Sequence, residues 1–362
     1  MSRITIIGCG VVGAAIAYEL SLIPGLSIAV LDKQFPAQGA TSAALGVLMG
    51  IISHKIKGKA WQLRQTSLQR YETLIPELAA KTNRQILYNR QGILMLVPSV
   101  ADWENLVEIR QAQGWHLEIW DIDQIKSKCP QLNLATTTAA IYSPQDRQLD
   151  PSALTLALVE AAERNNVNFQ FGVKVEEITS TNGGICYQIE TSNGQIETDW
   201  IVISAGLGST PITASLAQKV DIQPVLGQAL HLRVENPLGN ADFQPVITSD
   251  DIHIVPIGEK EYWVGATVEF PTDAGEVVAD PSLLDKVMLG AIAFCPPLSQ
   301  ATIKRTWFGL RPRPQGYPAP IIGQLPGYNN ILLATGHYRN GVLLAPATAI
   351  AIREAILAKS PV

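Results

Sequence analysis

Three glycines in Gly8-Cys9-Gly10-Val11-Val12-Gly13 follow the spacing G-x-G-x-x-G, directly after the β-branched run 4–7 and before the apolar stretch 11–22. Each has its own physical reason. Gly8 permits a tight turn, Gly10 lets the backbone approach a pyrophosphate, and Gly13 allows a helix to lie close to a strand. The anion would rest against unpaired N–H groups at the positive end of that helix. Asp32 ends the next apolar run, 27–31, where its carboxylate can accept hydrogen bonds from ribose hydroxyls. Strand, turn, helix and acid together predict an adenine dinucleotide site. The motif does not separate NAD from FAD.

Other chemistries find less support. The four cysteines (Cys9, Cys129, Cys186, Cys295) form no C-x-x-C pair, and the five histidines are equally dispersed. A zinc knuckle, a disulfide framework and a local metal motif are therefore not expected, and the pattern suits a reducing cytoplasm. With Lys+Arg 27 against Asp+Glu 32, the net charge of −5 is wrong for a protein held to nucleic acid by phosphate neutralisation. Residues 1–18 superficially resemble a signal peptide, but the glycines at 8, 10 and 13 are better explained by a strand and a turn. No run reaches about 18 uninterrupted apolar residues, so no membrane span is expected.

The elements that must position these residues belong to the α/β class, with parallel and antiparallel parts. Residues 4–31 read as a β-turn-α-β unit with both strands buried. A helix is expected over 61–81, two strands around a polar turn over 86–97, and a short helix over 120–129. Asp150-Pro151 is a helix start, with Asp as N-cap and Pro at the first position. A strand over 167–178, a hairpin across 180–184, a turn at Asn193-Gly194 and a buried strand at 200–204 follow. Between 221 and 270 the strands become antiparallel, and helices are expected at 284–294 and 341–357. The 362 residues, 47% of them hydrophobic, would form a Rossmann-like unit (1–85, 147–220 and 306–362) interleaved with a mainly antiparallel-sheet substrate unit (86–146 and 221–305). A cleft between them is the expected ligand site.

The segment Gly39-Ala40-Thr41-Ser42-Ala43-Ala44-Leu45-Gly46-Val47-Leu48 follows the opening unit. Together with the glycine fingerprint, it resembles the FAD-dependent family of D-amino-acid oxidase, sarcosine oxidase and especially glycine oxidase. The resemblance continues through LDPSALTLAL (149–158), the strand with Val175, IVISAGLGS (201–209), WFGLRPRP (307–314) and ATGHYRNGVLLAPAT (334–348). These blocks span nearly the whole chain in order, and the last looks most like glycine oxidases of the thiamine-biosynthesis type.

The resemblance implies that Gly8, Gly10, Val11, Val12 and Gly13 hold the FAD pyrophosphate, with Asp32 and Lys33 at the adenosine ribose. The family more often has Glu where Asp32 stands. Thr41, Ser42, Ala44, Leu45, Gly46, Val47 and Leu48 would line the pyrophosphate and flavin. Val175 would meet adenine through its backbone, and Ala205 and Gly206 would approach the cofactor. Gly336, His337, Arg339, Asn340, Gly341 and Val342 form the C-terminal flavin block. Members that attach flavin covalently use a His in the early Thr-Ser segment or a Cys near the Arg-Pro segment. Here Ala43 and the cysteine-free 307–314 point to non-covalent FAD.

Arg311 matches the family's carboxylate-binding arginine, and a planar guanidinium can meet both carboxylate oxygens at once. A helix starting near Gly341 would stabilise charge on reduced flavin. Arg339 either adds positive charge there or makes a surface ion pair. His253 stands where glycine oxidases tend to place a Tyr that assists Arg311. It either donates to the substrate carboxylate or is an inward-facing strand residue. His54, Lys55, Lys57 and Lys59 form a basic run that either borders the site entrance and attracts anionic substrate or, as short charge runs usually do, forms a solvated loop.

The activity implied is oxidative deamination of glycine or a related small amino acid (sarcosine, small D-amino acids) by hydride transfer to flavin N5, with O2 reoxidising the flavin to H2O2. Two rivals keep the fold: a D-amino-acid dehydrogenase passing electrons to a quinone or carrier, and the flavin module of a tRNA-modification enzyme. The expected partners are a small amino acid and O2, the expected compartment is the cytoplasm, and homo-oligomerisation is left open.

Overall fold

Close backbone approach shapes the first unit of the computed structural model, which describes residues 2–181, 186–272 and 275–359. β1 (Ser2–Ile7) turns through Gly8, at φ +103°, into α1 (Val11–Ser21), and β2 (Leu26–Asp32) returns parallel to β1. A Cβ on Gly13 would lie 1.9 Å from the Gly8 carbonyl oxygen and 2.7 Å from Ser204 Oγ. Only glycine lets α1 begin this close to the sheet.

Next along the chain come β3 (Val47–Leu48), α2 (Gly58–Thr82), β4 (Tyr88–Asn89), β5 (Ile93–Val97), α3 (Glu104–Ala112), β6 (Glu118–Trp120), α4 (Ile122–Lys128), β7 (Ala139–Ser143) and β8 (Arg147–Leu149). α5 (Pro151–Arg164), β9 (Asn168–Phe171), β10 (Val175–Thr181), β11 (Cys186–Thr191), β12 (Gly194–Thr198) and β13 (Trp200–Ile203) form the middle. α6 (Ser209–Ser215), β14 (Ile222–Arg233), β15 (Val246–Ser249), β16 (Ile252–Gly258), β17 (Glu261–Gly265), α7 (Pro281–Phe294), β18 (Thr302–Pro314), β19 (Ile321–Gln324), β20 (Ile331–Thr335) and α8 (Gly341–Leu357) complete it.

Two large sheets organise these elements. One runs β19-β20-β13-β1-β2-β9, with β20, β13, β1, β2 and β9 parallel, α1 and α8 packed on it and α5 packed on α1. The other runs β18-β14-β17-β16-β15-β5-β7-β6 and is mainly antiparallel. Asp150 starts α5 as expected, accepting from the amides of Ser152 and Ala153 with Pro151 at the first position.

Several expectations need correction. The strand expected over 167–178 is two strands in different sheets, because the chain breaks at Gly172 (φ +74°) between β9 and β10. β4 and β5 do not pair across their turn: β4 joins β8, and β5 lies between β15 and β7. The boundary expected at 306 falls inside β18, which pairs with β14 along its length and so belongs to the antiparallel sheet. The hairpin at 180–184 has its strands in β10 and β11, while its turn lies outside the described residues. One helical stretch, Tyr338–Leu357, is long and apolar enough on average to match a bilayer, but Arg339, Asn340, Arg353 and Glu354 interrupt it and more than half of it is buried against the core.

α8 carries Pro346 in its second turn. Proline has no N–H, so the carbonyl four residues earlier, that of Val342, loses its helical partner. The hydroxyl of fully buried Tyr71, on α2, donates to that carbonyl, and Ser67 Oγ accepts from the Ala347 amide at 3.2 Å. α2 thus repairs the break in α8. Replacing Tyr71 by Phe should leave a buried carbonyl orphaned and cost about 1–3 kcal/mol. Urea unfolding of Y71F measures this, and a loss below about 0.5 kcal/mol would contradict the assignment.

Candidate active site

The two sheets face each other across one cavity of about 1280 Å³. Its near end is the β1-α1 turn. α1 has Gly10 as N-cap without a side-chain cap, and the Val11 amide donates to Thr41 Oγ1 at 3.1 Å. Asp32 Oδ2 accepts from the Cys9 amide at 2.6 Å and Oδ1 from the Gln34 amide at 2.9 Å. A carboxylate has about four lone-pair sites, so two remain for sugar hydroxyls. These features, with a cavity wall bare of side chain at Gly8 and Gly10, fit an adenine dinucleotide.

At the far end one row of paired residues crosses the antiparallel sheet, and three of its members, Met95, His253 and Ala229, border the cavity. Met95 of β5 faces Thr248 of β15, which faces His253 of β16, then Gly265 of β17, Ala229 of β14 and Trp307 of β18. Laterally paired residues share a sheet face, so the small residues open a trough between larger ones. A Cβ on Gly309 would meet Ala43 Cβ at 2.2 Å, and Trp307 Nε1 donates to the Ala43 carbonyl at 3.1 Å. The Thr41–Val47 strap is thereby pressed along the floor.

Arg311 lies over Gly227, where a Cβ would fall 2.2 Å from Nη2. Its Nη1 donates to the carbonyls of Leu226 and Thr267, each at 3.0 Å. Among the described residues it has no carboxylate at ion-pair distance, and burial, then the nearby Arg339, pulls its pKa below the usual arginine value. A clamp with open donors results. His253 faces the same space with Nδ1 unpartnered among the described residues, and burial pushes its pKa down to about 4. Histidine here is neutral, not the titrating donor expected in its ordinary range.

His337 is buried with Nε2 3.0 Å from Thr348 Oγ1. That hydroxyl spends its proton on the Leu344 carbonyl at 2.8 Å, so His337 carries its proton on Nε2. Burial lowers this histidine also to about 4. A 3-10 turn, Tyr338–Asn340, then leads into α8, whose N-terminus has no side-chain cap and borders the cavity at Gly341 and Val342. Unpaired N–H groups at such a start favour a developing negative charge. Arg339 borders the cavity as well, but its Nη1 is 3.3 Å from Asp251 Oδ2 in an exposed pair. The exposed ion pair is the reading of Arg339 that the geometry displays.

The cavity wall includes Gly8, Gly10, Val11, Val12, Asp32, Lys33, Thr41, Ser42, Ala44, Leu45, Gly46, Val47, Val175, Ala205, Gly206, Gly336, His337, Arg339, Asn340, Gly341 and Val342. Two expected lining residues are elsewhere. Gly13 is spent on contact with Gly8 and Ser204, and Leu48 is fully buried in the core. Sequence reading missed Arg64, Met95, Trp103, Asp251 and Tyr338, which also border the cavity. Arg64, Met95, Trp103 and Asp251 come from helix, strand and loop positions with no motif, and Tyr338 sits inside the 334–348 block without having been singled out. His54, Lys55, Lys57 and Lys59 are all exposed, and of the four only His54 borders the cavity, its ring 4.5 Å from that of Trp103.

A buried carboxylate sets the wall beyond Val47. Fully buried Asp146 accepts from the amides of Gly50, Ile51 and Ile52 at 2.7, 2.9 and 2.9 Å. Burial raises its pKa above the usual carboxylate value, against those three amides. Arg110, also fully buried, donates to the carbonyls of Ile51, Ser53 and Lys55, and its guanidinium lies 3.7 Å from the Trp61 ring centroid. Burial brings it down to about 10.

A dinucleotide cradle that runs onto a carboxylate-ready guanidinium defines a cofactor-dependent oxidoreductase. Residues 3–355 match the family of FAD-dependent oxidoreductases (DAO), and the chain belongs to that family. FAD is its cofactor. The bifunctional protein ThiO/ThiG of Trichormus variabilis is 31% identical over 364 residues, covering 98% of this chain and 52% of that protein. The chain thus spans about half the length of that relative. Glycine oxidase of Bacillus licheniformis is 28% identical over 97% of this chain and 92% of its own. The crystal structure of glycine oxidase from Geobacillus kaustophilus superposes with a TM-score of 0.89 at 25% identity, covering 100% of this chain and 96% of that one.

The two buried histidines make stability depend on pH. Their folded pKa values near 4 lie below the unfolded value of about 6.5, so the unfolded chain binds more protons between those limits. Their contribution is complete above about pH 6.5 and is lost as pH falls towards 4, at up to about 1.4 kcal/mol per pH unit for each histidine. In urea titrations between about pH 4.5 and 6, H253N and H337N should each lower the slope of unfolding free energy against pH by about one proton. An unchanged slope would show that the histidine is already charged in the folded protein.

Proposed function

We propose that this chain is an FAD-dependent oxidase of glycine or a related small amino acid, with sarcosine and small D-amino acids in its range. Arg311 carries the reading. Its two bonds to backbone carbonyls fix the guanidinium and leave donors free for a carboxylate. A charge-assisted fork of this kind orients an amino acid by its one constant anionic group. Neutral His253 stands on the same floor and can donate to or accept from the bound substrate without adding charge.

The residues that would hold FAD are those of the near wall, from Gly8–Val12 and Asp32 through the Thr41–Val47 strap to the start of α8. Ala43 and the cysteine-free β18 favour a non-covalent group. Held there, FAD would supply the acceptor for a hydride from the substrate α-carbon and a route for that electron pair to O2, with H2O2 as the product. The protein's tasks are then orientation and charge placement, which requires no strong base provided the amine reacts neutral. The uncapped start of α8 supplies fixed positive potential along the wall. The names of the relatives and solved structures support glycine as the first substrate to try.

Anaerobic flavin bleaching with glycine, sarcosine, D-alanine and D-proline tests the reading, followed by peroxide measurement in air. No bleaching by any of them would overturn it. Rapid reduction of an artificial dye without peroxide would favour the dehydrogenase instead. Arg311→Ala should raise KM and lower kcat/KM by about ten- to a hundredfold, the worth of roughly 1.5–3 kcal/mol of charged hydrogen bonding. Unaltered kinetics in R311A would remove the clamp.

A further inference from the structure

Beyond His253 the trough continues for two strands, to Met95, a step of roughly 10 Å at ordinary strand spacing. Glycine on Arg311 does not need that space. This end is walled by Met95, Ile52 and the mutually tilted rings of His54 and Trp103. It also holds a second guanidinium. Arg64 borders the cavity from α2, one turn after Trp61, whose ring supports the Arg110 that holds the 51–55 wall.

Arg64 is 8% exposed, and its satisfaction is incomplete. Nη1 donates to the Ala60 carbonyl at 2.8 Å, while Nε is buried without an acceptor among the described residues. No carboxylate lies at ion-pair distance from it among those residues. The nearest negative charge acting on it is Asp146, which already accepts from three amides and also faces Arg110. One carboxylate between two buried guanidinium groups leaves a positive charge uncompensated beside the cavity. A buried cation without a partner is costly, so an anion arriving there would be bound strongly.

We propose that this end of the cavity is a second carboxylate subsite, in which Arg64 receives the distal carboxylate of an α-amino dicarboxylic acid held at Arg311 by its α-carboxylate. The inference rests on the amino-acid oxidase reading above and extends its substrate class. The methylene chain between the two carboxylates would lie along Met95 and Ile52, and glycine would occupy the Arg311 end alone. Asp251 and Arg339 neutralise each other at the rim, which leaves Arg64 and Arg311 as the two unpaired guanidinium groups described on this cavity.

The test uses holoenzyme and anaerobic flavin reduction by glycine, D-norvaline, D-glutamate and D-α-aminoadipate. D-Norvaline matches the chain length of D-glutamate without its second charge. The expected result is that one of the dicarboxylates half-saturates at a concentration roughly tenfold or more below that of D-norvaline. Arg64→Met should raise that dicarboxylate value at least about tenfold more than it raises the value for glycine. Arg64→Lys, which keeps the charge inside the fold, carries the comparison if R64M does not accumulate as folded protein. It should show the same selective rise at smaller size. D-Norvaline binding as tightly as the dicarboxylates, or a variant that shifts glycine and dicarboxylates equally, would overturn the subsite while leaving the oxidase intact. Failure of every amino acid to reduce the flavin would instead overturn the oxidase reading, and the subsite with it.

Discussion

At Gly13 the backbone of α1 comes so near β1 that one methyl group would sit 1.9 Å from a carbonyl oxygen, and the near wall of the cavity follows from that contact. It brings the open amides at the start of α1 to the cavity and seats Ser204 Oγ against the Ile7 and Gly8 carbonyls at 3.1 and 2.9 Å. Similar contacts recur wherever this molecule must leave room. Gly46 would place a Cβ 1.8 Å from the Leu149 carbonyl oxygen, Gly227 lies under Arg311, and Gly309 lies under Ala43. The cavity is therefore shaped by absent side chains as much as by present ones. Such contacts are intolerant, since protein interiors are close-packed and backbone has little room to yield.

Around that space the charges are arranged unevenly. Two guanidinium groups face it unpaired, a third is paired at the rim, and the two histidines beside them are kept neutral by burial. Neutral histidines add hydrogen-bonding atoms without adding to the repulsion among the arginines. Asp146 is the counterweight, and because its lone pairs are taken by backbone amides it shapes the wall more than it discharges Arg64. Desolvated charges of this kind gain most from a ligand of opposite sign, because little water competes for them.

The first unit of the fold was legible because its signals are local. Glycine spacing, an acid at a strand end, and the Asp150-Pro151 helix start each act within a few residues, and α1 and α5 stand where those signals put them, whereas the like start of α7 at Asp280-Pro281 went unread. β18 was harder. Its thirteen residues include four that are charged or aromatic between Lys304 and Phe308, and what makes them a strand is the partner β14, nearly eighty residues away. The break at Gly172 was hidden for the same reason, since β9 and β10 read as one apolar run until their separate sheets are known. Among site residues, the strap, Arg311 and the α8 start carry motif context. Arg64, Met95 and Asp251 carry none, for their meeting depends on a helix, a mid-sheet strand and a turn converging.

The repair of α8 by Tyr71 has a further meaning. A helix cut by proline no longer conducts its peptide polarisation in one unbroken ladder, so the turn that borders the cavity is partly uncoupled from the long apolar segment behind it. Its carbonyl side answers to a phenol on a neighbouring helix, at a residue that itself borders the cavity. The turn beside the cavity is therefore anchored sideways, by α2, instead of lengthwise through the segment that follows it.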